Sequence, residues 1–450
     1  MNKMTFDRKI GMFTATSIVA ANMIGTGVFT SLGFQVIGLQ TGFAIVALWM
    51  VGGIAALCGA LSYGELIAAM PRSGGEYHLL SKIYHPVVGF LSGWVSVAVG
   101  FTAPIAAAAM AMGQYLSRVL VQSSIISAEA QPAAVTIIAL ASVTIVSIVH
   151  LMNVRVVSRF QIVFTLLKVS LIVVLIFCGF LLAEGQPVGF LPTKASIDSI
   201  FTSGFAVSLV YVMYAYSGWN AAIYVAGDII NPSRNLPLSL VLGTSLVILL
   251  YVPINAVFLY SSPIEQIIGQ VDVGSIAATN IFGTVGGIIM GLLISLGLIS
   301  AISSMIWTGP RVTQAMGEDM GILKFLSIKN KNDVPHVSIY LQYCIVVLLV
   351  LTSTFDSVIN YIGFILSLSS LLTVFGIFVL RYKQPALERP YKTWGYPITP
   401  IIFLVIVSWM ICFVIKGKPF VSLAGAATLA VGLILYYINE SVTKTKNILE

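Results

Sequence analysis

Apolar stretches long enough to cross a membrane recur along the whole chain. Each extends over about 20 residues or more, which at 1.5 Å per helical residue matches a hydrocarbon core of about 30 Å. With 58% hydrophobic and 9% charged residues, the composition is not that of a soluble globular protein. We therefore predict an all-α polytopic membrane protein that forms a single domain over residues 1–450. The twelve predicted spans are roughly 10–37, 42–70, 86–117, 133–152, 160–182, 199–229, 238–260, 276–310, 337–353, 357–380, 397–415 and 420–439.

The basic residues are distributed unevenly between the two sides of these spans. If both termini are cytoplasmic, 18 of the 23 Lys and Arg residues fall in cytoplasmic segments. The four predicted to lie outside are Arg118, Lys194, Lys416 and Lys418, and Lys168 lies within a span. This bias is the positive-inside pattern of membrane proteins. We predict a multi-pass protein of the plasma membrane with both termini cytoplasmic, and the net charge of +7 requires no nucleic-acid partner.

Two of the predicted spans are interrupted in matching ways. The first contains Gly25-Thr26-Gly27 halfway along, and the sixth contains Tyr214-Ala215-Tyr216-Ser217-Gly218-Trp219-Asn220. Each glycine costs a helix about 1 kcal/mol, although glycine also serves ordinary packing between membrane helices. Matching interruptions five spans apart are typical of inverted-repeat transporters that bind substrate near the bilayer centre. The pair therefore favours a binding site over packing alone.

The predicted orientation gives the two interruptions opposite polarity. The half-helix that begins after Gly27 has its positive amino end at mid-membrane, and the half-helix that ends near Ser217 presents free carbonyls there. Glycine leaves the amides open to an anion because it has no side chain. Such a site has donors for a carboxylate and acceptors for an ammonium. The sequence thus predicts an amino acid as the ligand.

Lys168 is a basic residue in the middle of the fifth predicted span. An ammonium at this depth is a functional candidate, either as a proton carrier or as a fixed charge at a cation site. The alternative is a side chain that snorkels to the cytoplasmic surface. Ser300, Ser303 and Ser304 in the eighth span either bond this ammonium, line a cation site, or bond their own helix carbonyls.

No pattern in the sequence predicts an enzyme, a cofactor or a metal site. No nucleophile–base set appears within a span, and the four histidines lack ligand spacing. Cys58, Cys178, Cys344 and Cys412 all fall within apolar spans and form no disulfide framework. We therefore expect no cofactor, no metal and no covalently linked partner subunit.

Five segments carry a resemblance to a known family. They are Ala21-Asn22-Met23-Ile24-Gly25-Thr26-Gly27-Val28-Phe29, Ser62-Tyr63-Gly64-Glu65-Leu66 with Pro71-Arg72-Ser73-Gly74-Gly75-Glu76-Tyr77, Tyr216-Ser217-Gly218-Trp219-Asn220, Asn231-Pro232-Ser233-Arg234-Asn235-Leu236-Pro237, and Arg389-Pro390-Tyr391-Lys392-Thr393-Trp394-Gly395-Tyr396-Pro397. In this order, they resemble the amino acid–polyamine–organocation transporters, above all bacterial members of the L-type amino acid transporter group.

The resemblance implies a LeuT-like fold that works by alternating access. It implies a five-plus-five inverted repeat, approximately 10–182 and 199–380, with discontinuous helices 1 and 6 and two additional helices over 397–439. By the same resemblance, the amides of Gly25, Thr26 and Gly27 hold the substrate carboxylate. The carbonyl of Met23 and the residues Tyr214, Ala215 and Ser217 hold its ammonium, and Lys168 occupies the sodium-site position of sodium-independent members.

We predict a sodium-independent secondary transporter of neutral L-amino acids that works as an exchanger or a proton symporter. The neutral preference rests on the absence of an Asp or Glu near either interruption at mid-membrane depth. The alternative is a carrier of polyamines or cationic amino acids, and a channel or receptor is less favoured because paired breaks build an occluded site. The expected partners are the amino acid, the lipid bilayer and protons. The predicted substrate residues are Met23, Ile24, Gly25, Thr26, Gly27, Tyr214, Ala215, Ser217, Gly218 and Trp219, and those predicted for coupling or a cation site are Lys168, Ser300, Ser303 and Ser304.

Overall fold

The computed structural model describes residues 10–72, 74–152, 155–332 and 334–449. Lys3, Arg8 and Lys9, which enter the predicted charge bias, lie outside the described residues, as does Ser73 of the second motif. The α-helices are α1 (Met12–Met23), α2 (Gly27–Thr30), α3 (Leu32–Gln35), α4 (Gly42–Ala69), α5 (Gly75–Ile83), α6 (Pro86–Val95), α7 (Thr102–Gln122), α8 (Gln131–Met152), α9 (Arg155–Leu182), α10 (Lys194–Asp198), α11 (Ser203–Tyr216), α12 (Pro232–Ser261), α13 (Ile264–Ile267), α14 (Val273–Asp319), α15 (His336–Thr352), α16 (Phe355–Lys383), α17 (Ile398–Gly417) and α18 (Pro419–Leu449).

Helices account for each of the predicted spans, so the all-α polytopic fold is confirmed. Within the described ranges, ten helices are long and apolar enough to cross a membrane, and the bent pair Lys194–Phe201 with Ser203–Asp228 makes eleven. The remaining predicted span corresponds to α15, an apolar helix of 17 residues. This is short of the roughly 20 residues that a span normally needs. The exact number of twelve therefore stays a prediction.

The first span is broken where the glycines predict it. Helix α1 ends at Met23, and Ile24 leaves the helical region with a ψ of 78°. Helix α2 begins at Gly27, and because Ser31 keeps helical dihedrals, α2 and α3 continue as one helical half to Gln35. The first amides of this half have no partner within the helix.

The sixth span is broken at Ser217. Helix α11 ends at Tyr216, and the extended ψ of 151° at Ser217 stops it. Gly218 has a φ of +95°, a left-handed conformation that glycine adopts without steric cost. The chain then continues as a 3-10 helix over Ala221–Asp228. Both halves of the predicted site are thus ends of real half-helices.

The two broken spans contact each other closely. A Cβ on Gly27 would lie 2.5 Å from the Cα of Ala215, and a Cβ on Gly218 would lie 2.9 Å from the carbonyl carbon of Asn22. Hydrogen bonds of 3.0 Å and 2.9 Å also join Ile10 to Asp228 and Ile230, at the ends predicted to be cytoplasmic. The glycines therefore allow the two interruptions to meet in the interior.

The loop that precedes the last two helices is hydrogen-bonded to the second span. Glu65 of α4 is fully buried and pairs with Arg381 at the end of α16, with an oxygen–nitrogen distance of 2.7 Å. The same carboxylate accepts a hydrogen bond from the backbone amide of Thr393 at 2.7 Å. This buried pair fixes the start of α17 against the helices that surround the site.

Candidate functional site

A small cavity lies where the two helix breaks meet. Its wall contains Gly25, Thr26 and Gly27 of the first break together with Ala215 and Ser217 of the sixth. These groups come from positions almost 200 residues apart in the chain, and the breaks bring them together. The cavity is therefore bounded by the amino end of one half-helix and the carboxyl end of another.

A larger cavity of about 90 Å³ adjoins the small one. The two share wall residues from α1, α7, α11 and α14, namely Asn22, Pro104, Tyr214, Ser217 and Met305. The larger cavity extends past the sixth break, where Gly218, Trp219 and Asn220 form part of its wall. Polar groups line its far end, among them Glu76, Ser96 and Thr308.

Two tyrosines hold the groups of the first break in place. The hydroxyl of Thr26 hydrogen-bonds the hydroxyl of Tyr214, and both residues are buried. The hydroxyl of Tyr251 donates to the carbonyl of Met23 at 2.6 Å. Tyr251 in turn packs against Tyr216, with ring centroids 5.2 Å apart. A side chain from α11 thus bonds the Thr26 hydroxyl, and a side chain from α12 satisfies the Met23 carbonyl, as the apolar surroundings require.

Lys168 is directed into the protein and not toward the membrane surface. Its side chain is 3% exposed, and its ammonium donates to the carbonyls of Ala21 at 3.2 Å and Ile24 at 2.5 Å. These carbonyls belong to the end of the first half-helix, where intrahelical donors run out. Gly297 of α14 leaves room for the lysine, since a Cβ there would lie 3.0 Å from its Cγ. The snorkelling alternative is therefore wrong.

The three serines of α14 are buried but serve different contacts. Ser303 shares a hydrogen bond of 2.9 Å with the ring of His150. Ser304 donates to the side chain of Asn22 at 3.1 Å, which links α14 to the first break. Ser300 is fully buried on the same helix. Of these, Ser304 has a direct connection to the predicted site.

Among the predicted substrate residues, Ile24 stands apart. Its side chain is fully buried in the core, and its carbonyl binds Lys168. Trp219, by contrast, lines the larger cavity and packs edge-on against Tyr63, with ring centroids 4.5 Å apart. Ile24 therefore stabilises the break through its carbonyl, whereas Trp219 forms part of the cavity wall.

Glu76 is a wall residue that the sequence reasoning missed. The sequence analysis considered only carboxyls at mid-membrane depth, whereas Glu76 belongs to the short helix α5 and accepts a hydrogen bond of 3.1 Å from Asn220 just beyond the sixth break. Its other donors include Tyr63 and Ser369. Burial raises the pKa of the Glu76 carboxyl, and the bonds from Ser369, Tyr63 and Asn220 oppose that rise. The Gly74-Gly75-Glu76 motif was the available signal, but nothing local shows that α5 folds inward.

Stacked aromatic rings join the helices on the side predicted to be extracellular. Phe34 stacks on Tyr211 with centroids 5.7 Å apart and on Phe355 with centroids 5.9 Å apart. The hydroxyl of Tyr211 donates to Asp356, which also pairs with Lys418 at 3.3 Å. These contacts join α3, α11, α16 and Lys418, which precedes α18.

Comparison with known proteins places the chain in a family. A family model described as amino acid permease matches residues 10–436. The b(0,+)-type amino acid transporter 1 of Mus musculus is 28% identical over 425 residues, which are 92% of this chain and 84% of that protein. The Large neutral amino acids transporter small subunit 2 of Homo sapiens is 27% identical over 439 residues, which are 96% and 80% of the two chains. The Asc-type amino acid transporter 1 of Mus musculus is 25% identical over 442 residues, or 97% and 82%. The chain therefore belongs to the amino acid permease family of the amino acid–polyamine–organocation superfamily, and it is a membrane transporter of amino acids and not an enzyme.

Proposed function

We propose that the protein is a sodium-independent secondary transporter of neutral L-amino acids that works by alternating access, as an exchanger or a proton symporter. The observation that carries the proposal is the meeting of the two helix breaks around one cavity. A carboxylate fits the amides that begin at Gly27, and an ammonium fits the carbonyl end of α11. Every L-amino acid offers both groups.

Sodium independence is supported by the position of Lys168. Its ammonium occupies a place between two carbonyl oxygens at the end of α1. Carbonyl oxygens at unwound helix ends are the ligands that sodium takes in related transporter architectures. With the lysine nitrogen already bound to these carbonyls, the first break needs no sodium ion to complete it.

The neutral preference is supported by the surroundings of Glu76 and by the relatives. Two of the similar proteins are described as a large neutral amino acids transporter and an Asc-type amino acid transporter. The Glu76 carboxyl already accepts hydrogen bonds from donors on several helices, including Tyr63, Asn220 and Ser369. A cationic side chain would have to displace these donors.

A carrier of cationic amino acids or polyamines is the second candidate. One observation favours it, since Glu76 places a carboxyl on the wall of the larger cavity. A b(0,+)-type transporter is also among the similar proteins. Polyamines have no carboxylate and would leave the amides at the first break unused.

We further propose a plasma-membrane location with both termini cytoplasmic and no disulfide-linked partner. The uneven distribution of Lys and Arg supports the orientation. The four cysteines lie within helices that also form the predicted spans, away from the loops where an external subunit would be joined. One relative carries the words small subunit in its name, so a non-covalent partner is compatible with the proposal.

Transport by the purified protein in proteoliposomes tests this function. Vesicles preloaded with one unlabelled amino acid and exposed to its labelled form measure exchange, with L-leucine, L-alanine, L-lysine and putrescine as probes. We expect trans-stimulation by the neutral amino acids, with equal rates when choline replaces sodium. A strict requirement for sodium contradicts the cation assignment, and stimulation by L-lysine or putrescine alone favours the second candidate. Empty liposomes provide the control.

A further inference from the structure

Glu76 is a buried carboxyl on the cavity wall to which the amino acid site assigns no role. Its side chain is 4% exposed, in the first turn of α5. Among the ion pairs formed by described residues, Glu65, Asp272, Asp319 and Asp356 have basic partners and Glu76 has none. Buried charges are normally paired because an isolated one is expensive to desolvate. The Glu76 carboxyl must therefore either be ionised and stabilised by hydrogen-bond donors or be protonated and neutral.

The donors around Glu76 suit both protonation states. Tyr63 of α4 and Ser369 of α16 donate to its two oxygens, and Asn220 adds a bond of 3.1 Å. Ser92 and Ser370 lie at 3.5 Å. Hydroxyl groups rotate and can donate to a carboxylate or accept from a carboxylic acid. By rotation of these hydroxyl groups, the surrounding side chains can accommodate either protonation state of Glu76 without movement of a helix.

Among the residues that the structure describes, no basic side chain acts on the Glu76 carboxyl. The titratable groups that act on it from other elements are the phenols of Tyr63 on α4 and Tyr224 beyond the sixth break. On α5 itself, the hydroxyl of Tyr77 donates to Asp319 at 2.8 Å, and His78 interacts with Arg72 and Lys82. Protonation at Glu76 is therefore governed by burial and by its neutral donors.

The same carboxyl is joined to the segment that must move during transport. Asn220 follows the sixth break by three residues, and Trp219 beside it packs on Tyr63. When the wall opens to water, the contacts of this segment with α4 and α5 must change. A change of charge at Glu76 would alter those contacts directly, since an ionised carboxylate holds its donors more strongly than the acid does.

We propose that Glu76 is the proton-binding site through which this transporter couples amino acid movement to a proton gradient. The proposal rests on the proposed function and specifies its coupling ion. The carboxylate takes one proton from water on one side, becomes a carboxylic acid, and returns that proton to water on the other side. Burial favours the acid in the closed cavity, and hydration of the opened wall favours release. No other reactant is needed.

The test compares wild-type protein with Glu76→Gln in proteoliposomes, using L-leucine and L-alanine as probes and a trapped pH dye. An inward gradient of one pH unit can drive up to about 10-fold accumulation for one proton per substrate. We expect wild-type vesicles to accumulate the amino acid and acidify inside. Glu76→Gln should keep exchange without a gradient and lose both effects. Glu388→Gln, an exposed carboxyl in a loop, is the matched control and should behave as wild type.

A second variant retains the carboxyl and guards against misfolding of the first. Tyr63→Phe removes one donor to the ionised form, so the pH midpoint of coupled uptake should move to higher pH while accumulation persists. An unchanged midpoint contradicts the proposal. Gradient-driven accumulation by Glu76→Gln also contradicts the proposal. If Glu76→Gln loses only the exchange of L-lysine, the carboxyl binds cationic side chains and not the coupling proton.

The wild-type protein separates failure of this inference from failure of the proposed function. Exchange without any response to the proton gradient overturns the proton site and leaves the transporter intact. Neither exchange nor uptake for any amino acid probe overturns the proposed function itself.

Discussion

Gly25 and Gly27 lie two residues apart in the first helix break, yet they have different surroundings. A Cβ on Gly25 would meet only the carbonyl of Met23, at 3.9 Å, and would project into the small cavity. A Cβ on Gly27 would lie 2.5 Å from the backbone of Ala215. The first glycine therefore keeps the site open, and the second allows two helices to touch.

This difference predicts opposite outcomes for two alanine substitutions. Gly25→Ala should leave the free energy of unfolding unchanged and weaken substrate binding about 10- to 100-fold, the loss expected for one hydrogen bond to a charged group. Gly27→Ala should lower the free energy of unfolding by about 1–3 kcal/mol, because backbone must move to accept the methyl group. Thermal unfolding in detergent and exchange in proteoliposomes measure the two effects. Equal losses of stability in both variants would contradict this assignment.

At the scale of elements, Lys168 connects α9 to the end of α1. The lysine stem packs against Gly297 of α14, and its ammonium bonds the carbonyls of Ala21 and Ile24. Three helices thus meet at one charged group beside the first break. A rigid link here sets the angle at which the two halves of the broken span face the site.

Substitution of Lys168 should therefore affect both stability and transport. Lys168→Ala leaves two buried carbonyls without this donor, and each unsatisfied group costs about 1–3 kcal/mol. We expect a lower unfolding temperature and a loss of exchange between pH 5 and 8. Lys168→Met fills the space without a charge, so a comparison of the two variants separates the effect of lost packing from the effect of the lost ammonium. Unchanged exchange kinetics in both variants would show that the link is not needed.

At the scale of the whole molecule, different contacts join the helices on the two predicted sides of the broken spans. The aromatic stack of Phe34, Tyr211 and Phe355 lies on the side predicted to be extracellular. On the other side, the hydrogen bonds of Glu76 join α5 to Asn220 and to α16. The proposed alternating-access mechanism predicts that these two sets of contacts open in turn.

The predicted orientation can be measured by labelling single cysteines in a cysteine-free background. Ser127 and Gln384 are exposed and lie in loops predicted to be on opposite sides of the membrane. We expect Ser127→Cys to react with a membrane-impermeant maleimide in intact cells, and Gln384→Cys to react only after the cells are permeabilised. The reverse pattern would invert the topology and the sides assigned to both sets of contacts.

The sequence alone determined the membrane class, the helical spans and the positions of both breaks. Span length, hydropathy, glycine spacing and the distribution of Lys and Arg are local properties, so they can be read without a structure. The tertiary structure decided which distant groups meet. It directed Lys168 to the carbonyls of Ala21 and Ile24, and it brought Glu76 next to Asn220, 144 residues further along the chain. Hydropathy shows that α5 is a short amphipathic segment, but only packing against α4, α6 and α16 makes its carboxyl part of the cavity wall.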